Sequence, residues 1–400
     1  MRIEAVDFFY AAMPEISLDA DGSQDALLVR VRAGDFEGWG ECEASPLTSI
    51  AAFVTPRSHG VCQPVSASVL GERLDGVDDI ARIAALVERQ SMDLLQAAHT
   101  WSGIEIALWD LLGRRYETPV WRLLGYTAST PKTPYASMLF GDTPQETLER
   151  AAAARAAGFR AVKVGWAGYG EQSPARDADQ VAAAREGLGD GDLLVDAGQI
   201  WGEDVEAAAE RLPALEAAGA TWLEEPFQPQ AFRAYAALAA RSPLVGIAGG
   251  EGAHSAHMAL NLIDFAGVRF VQIDTARIGG IGPAKRVADH AAAHGVTFVN
   301  HTFTSHLALS ASLQPFAGLA EHRICEYPVG PRAVALAITR EHLVPGPDGT
   351  IHAPDAPGLG INVDLDAIAP YLRAVEIRVD GETLFVSPAP SGTVKDAVAL

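Results

Sequence analysis

The feature that most restricts this chain is a regular alternation of apolar runs and helical stretches between Tyr135 and Tyr327. Tyr135 to Leu139 reads as a strand. Thr143-Pro-Gln-Glu146 then supplies a helix cap, a first-turn proline and a capping-box glutamate. Gly158 closes that helix, and Ala161-Val-Lys-Val164 is the next strand. Later helices stop at or near Gly189, Gly219, Gly267 and Gly295, each followed by a new apolar run. Strands separated by helices at this period lie parallel, because a parallel neighbour is reached only by a crossover. Seven or eight such units predict a closed α/β barrel.

The apolar runs end in ionisable residues. These are Lys163, Asp196, Glu224, Glu251, Asp274, His301 and Glu326, spaced 23 to 33 residues apart, about one strand-helix unit each. In a barrel the carboxyl ends of the strands converge on one face, which brings these residues around one pocket. Asp196 closes the run Leu193-Leu-Val195, and alone it would read as an ordinary turn or helix-capping acid. Glu224 in Trp222-Leu-Glu-Glu-Pro226 and Glu251 in Ala248-Gly-Gly-Glu-Gly252 follow on adjacent strands, and three such acids repel one another unless a cation is shared. An all-oxygen donor set selects a hard divalent ion, of which Mg²⁺ is the natural candidate. Asp274 and His301 fall on neighbouring strands, where the acid fixes the imidazole tautomer and lets the pair take up and return a proton. Glu326 would donate a hydrogen bond to a substrate oxygen if its pKa were raised. Removal of a proton from the carbon beside a carboxylate needs all these parts, because the enediolate must be stabilised on both sides.

The flanking sequence differs. Residues 2–10, 25–33 and 36–43 read as strands, and 78–90 and 101–115 as helices. Loops are expected at 14–24 and, as an irregular stretch, at 45–65. After Pro328 the period is lost, and Val375 to Val386 reads as a hairpin turning at Asp380-Gly381. The expected organisation is an α+β domain over 1–125, the barrel over 126–328, and a segment over 329–400 that returns to the first domain. A net charge of −21 argues against nucleic acid or an anionic membrane as partner, so an anionic small substrate needs a local positive centre. No stretch is long and apolar enough to span a bilayer and no signal peptide is evident, which points to the cytoplasm. Cys42, Cys62 and Cys325 lack metal-ligand spacing and are read as reduced.

From Tyr135 to Tyr327 the chain resembles the mandelate racemase subgroup of the enolase superfamily, the mandelate racemase / muconate lactonizing enzyme family. The marks are Val-Asp196-Ala, Trp-Leu-Glu224-Glu-Pro, Gly-Gly-Glu251-Gly, Asp274 ahead of Ile278-Gly-Gly280, then His301 and Glu326. Ile104 to Gly113 and Pro357-Gly-Leu-Gly360 also look like this family. The resemblance implies a modified TIM barrel, (β/α)7β, under an α+β capping domain whose loops select the substrate. It further implies Mg²⁺ held by Asp196, Glu224 and Glu251, a catalytic His301–Asp274 dyad and a homo-oligomer. One departure matters. Many members carry a second base in a Lys-x-Lys pattern, and this chain has Lys163-Val-Gly165; where some relatives keep a histidine, it has Gly198. A single histidine can abstract a proton and protonate a departing hydroxyl on the same side, so dehydration of an acid sugar to a 2-keto-3-deoxy acid is the expected reaction. An epimerase that uses Lys163 as second base, or a cycloisomerase, is the alternative. A hydrolase is disfavoured because no His-x-His pair is present. Lys163, Glu326, Trp166 and Trp201 are the candidate substrate contacts, although the tryptophans, like Tyr169, could instead form wall or packing.

Overall fold

The computed structural model describes residues 1–43 and 45–389; the end of the expected C-terminal segment, 390–400, lies outside the described residues. Three antiparallel strands, β1 (Ala5–Ala12), β2 (Asp25–Ala33) and β3 (Phe36–Cys42), form the first sheet in that order. The long helix Ala97–Arg115 lies against it, and glycine is what permits the approach. A Cβ at Gly38 or Gly40 would stand 2.1 Å from a backbone carbonyl oxygen of that helix. One expectation needs correction. The stretch after Ala44 is not irregular throughout, because Pro46–Val54 is a helix. Its proline sits at the start of the first turn, where no amide is needed, and Ile50 and Phe53 are buried in the core beneath the sheet.

Eight parallel strands follow: β4 (Thr133–Leu139), β5 (Ala161–Gly165), β6 (Asp192–Asp196), β7 (Ala220–Glu224), β8 (Gly246–Gly249), β9 (Phe270–Asp274), β10 (Thr297–His301) and β11 (Ile324–Pro328). Their order is β10-β9-β8-β7-β6-β5-β4-β11, with helical connections between successive strands. This is the (β/α)7β arrangement. Among the described residues no backbone ladder joins β10 to β11. The Asn300 side chain bridges that seam, accepting from the Glu326 amide at 2.9 Å and donating to the Glu326 carbonyl at 3.4 Å.

Strand pleating explains which residues face the barrel axis. Tyr135, Ala161, Leu194, Trp222, Ala248 and Val299 form a buried plug inside the barrel, with Phe270 and Ile324 packed on it. Side chains two positions apart share a face of a strand. Lys163, Asp196, Glu224, His301 and Glu326 each stand two residues beyond a plug residue, so they point inward one layer above it. A larger apolar cluster lies between the strands and the outer helices.

The segment after β11 returns to the first sheet. Ala11 pairs with Leu372, the Arg373 amide donates to the Tyr10 carbonyl, and Phe385 meets Phe8 edge to face. Ile338, Leu359, Ile361 and Ile368 share a core with Phe8 and Leu108. The hairpin is present as β12 (Glu376–Val379) and β13 (Glu382–Val386). No described helix is long and apolar enough to cross a membrane.

Candidate active site

At the carboxyl ends of the barrel strands lies a cavity of about 460 Å³. Its floor is Lys163, Asp196, Glu251, His301 and Glu326, and its roof is Ala20, Asp21 and Gly22 from the loop between β1 and β2. That loop therefore reaches the site as expected, whereas residues 45–65 do not line it.

Asp196, Glu224 and Glu251 each offer an oxygen within 4.8 Å of the other two. Each is oriented from outside the trio. Asp196 accepts from the Gly198 amide at 2.8 Å and from the Trp166 indole at 3.2 Å. Glu224 accepts from the Trp222 indole at 3.0 Å and from Lys163 at 2.8 Å. Burial, then repulsion from Glu224, drives the Asp196 carboxyl well above the usual carboxylate range. Burial likewise raises Glu224, against the pull of Lys163. A buried all-oxygen trio under this strain fits a hard divalent cation such as Mg²⁺.

Lys163 Nζ lies 2.8 Å from both Glu224 and Glu326 and 3.7 Å from Asp196. Burial disfavours its charge, yet Glu224 and Glu326 outweigh that and hold its pKa well above normal. It stands as an ammonium ion rather than a free base.

The dyad is formed by the ends of β9 and β10, which pair in register. His301 Nδ1 is 2.8 Å from Asp274 Oδ2, and Asp274 Oδ1 accepts from the Ala276 amide at 2.8 Å. Burial works against the imidazolium, but Glu251, Glu326 and Asp274 together raise the His301 pKa to about 10. The other ring nitrogen, Nε2, is 3.1 Å from Glu251.

Glu326 differs from expectation. Burial would raise its pKa, but Lys163 and His301 reverse this and hold it below the usual value. It is an acceptor, taking the Thr302 amide at 2.6 Å, and not a neutral donor. Trp201 is also corrected. It is buried outside the cavity against Tyr169 and Arg211, whereas Trp166 is 38% exposed and lines the wall. Tyr169 stacks on Phe140 and is likewise outside.

The positions where a second base is missing have no room for one. A Cβ at Gly165 would stand 2.5 Å from Asp196 Cβ. Gly198 has φ +56°, and its Cβ would stand 2.7 Å from the Trp166 ring.

Sequence reasoning missed Arg277, Glu43 and Glu225. The Arg277 guanidinium pairs with Glu43 of the first domain at 2.9 Å and donates to the Glu251 carbonyl at 2.9 Å, tying the cap to a strand-end loop. Its signal was a lone cation in the loop after Asp274 of an acidic chain. Glu225, the second acid of Leu-Glu-Glu-Pro, accepts from Gln199 at 2.5 Å and from the Gly250 and Gly252 amides at 3.3 Å, fixing the loop that carries Glu251.

Residues 146–367 match the family model for the enolase C-terminal domain-like fold, and residues 6–125 match the mandelate racemase / muconate lactonizing enzyme N-terminal domain. The D-galactarolactone cycloisomerase of Agrobacterium fabrum is 29% identical over 363 residues, covering 86% of this chain and 90% of that one. The L-talarate/galactarate dehydratase of Salmonella typhimurium is 33% identical over 261 residues, 63% of each chain. The crystal structure of a predicted mandelate racemase from Rhodobacter sphaeroides has a TM-score of 0.93 at 66% identity, covering 97% of this chain and 100% of that one. A racemase from Streptomyces coelicolor A3(2), solved with bound magnesium, has a TM-score of 0.78 at 25% identity, covering 93% and 100%.

Proposed function

The chain belongs to the mandelate racemase / muconate lactonizing enzyme family of the enolase superfamily, and from that premise we propose that it eliminates an oxygen leaving group β to a carboxylate, most simply water from an acid sugar. The observation that carries this reading is one-sided. The His301–Asp274 dyad faces the cavity, and the two positions that could carry an opposing base are glycines without space for a side chain.

Asp196, Glu224 and Glu251 would hold Mg²⁺, which when bound supplies positive charge for the substrate carboxylate as its α-carbon loses a proton. Lys163, an ammonium beside the trio, attracts the same carboxylate and helps to orient it. His301 Nε2 takes the α-proton, while Asp274 on Nδ1 holds the ring in the correct tautomer. The imidazolium then returns the proton to the departing β-oxygen on the same side. If that oxygen is a hydroxyl, water leaves and the enol becomes a 2-keto-3-deoxy acid. If it belongs to a ring, the same step opens the ring, a cycloisomerisation. The names of the relatives, a lactone cycloisomerase and an acid-sugar dehydratase, support this pair of outcomes.

The lining also bears on substrate class. Lys163 and Arg277 are its lysine and arginine, and both are already paired with carboxylates. The remaining lining, Asp21, Met138, Leu139 and Phe303 included, adds no lysine or arginine for a second carboxylate, which favours a monoacid. The test is incubation of mono- and diacid sugars and their lactones with Mg²⁺ in deuterated water, keto products being trapped as semicarbazones. Loss of water or ring opening, abolished in His301→Asn, is the expected result. Deuterium exchange at the α-carbon with inversion and no elimination would replace this reading with an epimerase using Lys163.

A further inference from the structure

A second group of potential ligands lies at the opposite end of the barrel. Asp264 is near the end of the helix Ala256–Phe265, and His290 and His294 are near the end of the helix Ile281–Ala293. Helices run antiparallel to the strands they follow, so their carboxyl ends gather at the base of the barrel, away from the cavity. One ligand atom from each of the three lies within 4.8 Å of the others.

The hydrogen bonding around the group prepares it for a metal. His294 Nδ1 is 2.8 Å from the His290 carbonyl oxygen. A carbonyl only accepts, so Nδ1 carries the proton and Nε2 keeps a free lone pair, as in imidazoles that bind metals. His290 Nε2 is 2.6 Å from Asp264 Oδ1 on the neighbouring helix. An ordinary ion pair accounts for that contact, but not for the second ring, whose centroid lies 3.9 Å from that of His290. A divalent ion shared by both rings and the carboxylate would engage all three at once. The carboxyl end of a helix is also the negative end of its dipole.

We propose that Asp264, His290 and His294 form a surface site for a borderline divalent ion, with Zn²⁺ the best match to two nitrogens and one oxygen. The fourth position is left to water. The ion clips together two adjacent barrel helices and takes no part in the chemistry at the cavity. Because the folded chain assembles the site, binding raises stability by mass action.

The experiment uses the full chain stripped with a chelator, returned to millimolar Mg²⁺ and titrated with Zn²⁺ against a chromophoric competitor. The wild type and Glu224→Gln, whose cavity trio is broken, should each take up one Zn²⁺ that Mg²⁺ does not displace. His294→Ala and Asp264→Asn should bind it at least tenfold more weakly and lose the accompanying rise in Tm, with Mg²⁺-dependent turnover unchanged. Equal uptake by wild type and both base variants, or loss of uptake in Glu224→Gln alone, would overturn the proposal.

Discussion

The two ends of the barrel each gather three side chains able to ligate a metal, but under opposite physical conditions. At the strand carboxyl ends Asp196, Glu224 and Glu251 are 4%, 0% and 9% exposed, and all offer carboxyl oxygens. At the base Asp264 and His294 are exposed and His290 is half-buried, and two of the three donors are imidazole nitrogens. Water cannot screen the first group, so its repulsion must be met by positive charge. Lys163 supplies part of it, and the proposed divalent cation would supply the rest. The second group lies open to water, and a cation there is an addition. Burial thus makes compensating positive charge a requirement at one end and an option at the other.

The largest expected effect tests the buried end. His301→Asn removes the group proposed to take and return the proton, and turnover should fall on the order of 10⁴-fold, with the fold intact by circular dichroism. A variant that keeps its rate would end the claim that this cluster is the catalytic one.

Asp274→Asn should cost less, about 10²-fold, and should move the pH profile. His301 is held near a pKa of 10 by three carboxylates and must be neutral to accept a proton, so kcat/KM rises with pH. A cation on Glu251 lowers that value, and loss of the Asp274 charge lowers it further. The rising limb should therefore shift to lower pH, and an unmoved limb would argue that another group is the base.

Arg277→Met removes the guanidinium that holds the Glu251 loop to Glu43 of the cap. Mg²⁺ affinity should fall roughly 10–100-fold, as when other supporting groups of metal sites are lost. Calorimetric titration checks this, and unchanged affinity would make Arg277 a purely interdomain contact.

The smallest effect belongs to the base. Without metal, His294→Ala should alter stability by no more than about 0.5 kcal/mol, since it removes an exposed side chain from a helix end. Urea unfolding in the presence of a chelator measures it. A larger loss would mean that the base cluster contributes to stability even without an ion, and the contrast between the two ends would weaken.

Much of the catalytic face was legible in the chain. A parallel strand ends where its apolar run ends, and side chains alternate, so Lys163, Asp196, Glu224, Asp274, His301 and Glu326 could be assigned to one face from spacing alone. Glu251 was assigned by the same spacing, although it lies just beyond β8 rather than within the strand. The helix Pro46–Val54 was missed because its apolar face is too short to stand out from its surroundings. Trp201 was misplaced because strand period says nothing about a side chain in the loop that follows.

The sequence alone determined the strand-helix period, and with it the barrel and the residues that its open face would carry, because these depend on local patterns of polarity. Only the tertiary structure decided their charge states and partners. Lys163 meets Glu326 from the other side of β4, so Glu326 is an ionised acceptor. Arg277 meets Glu43 from 234 residues away. Asp264 meets His290 between two helices. Protonation and pairing follow from distance and burial in space, which separation along the chain does not encode.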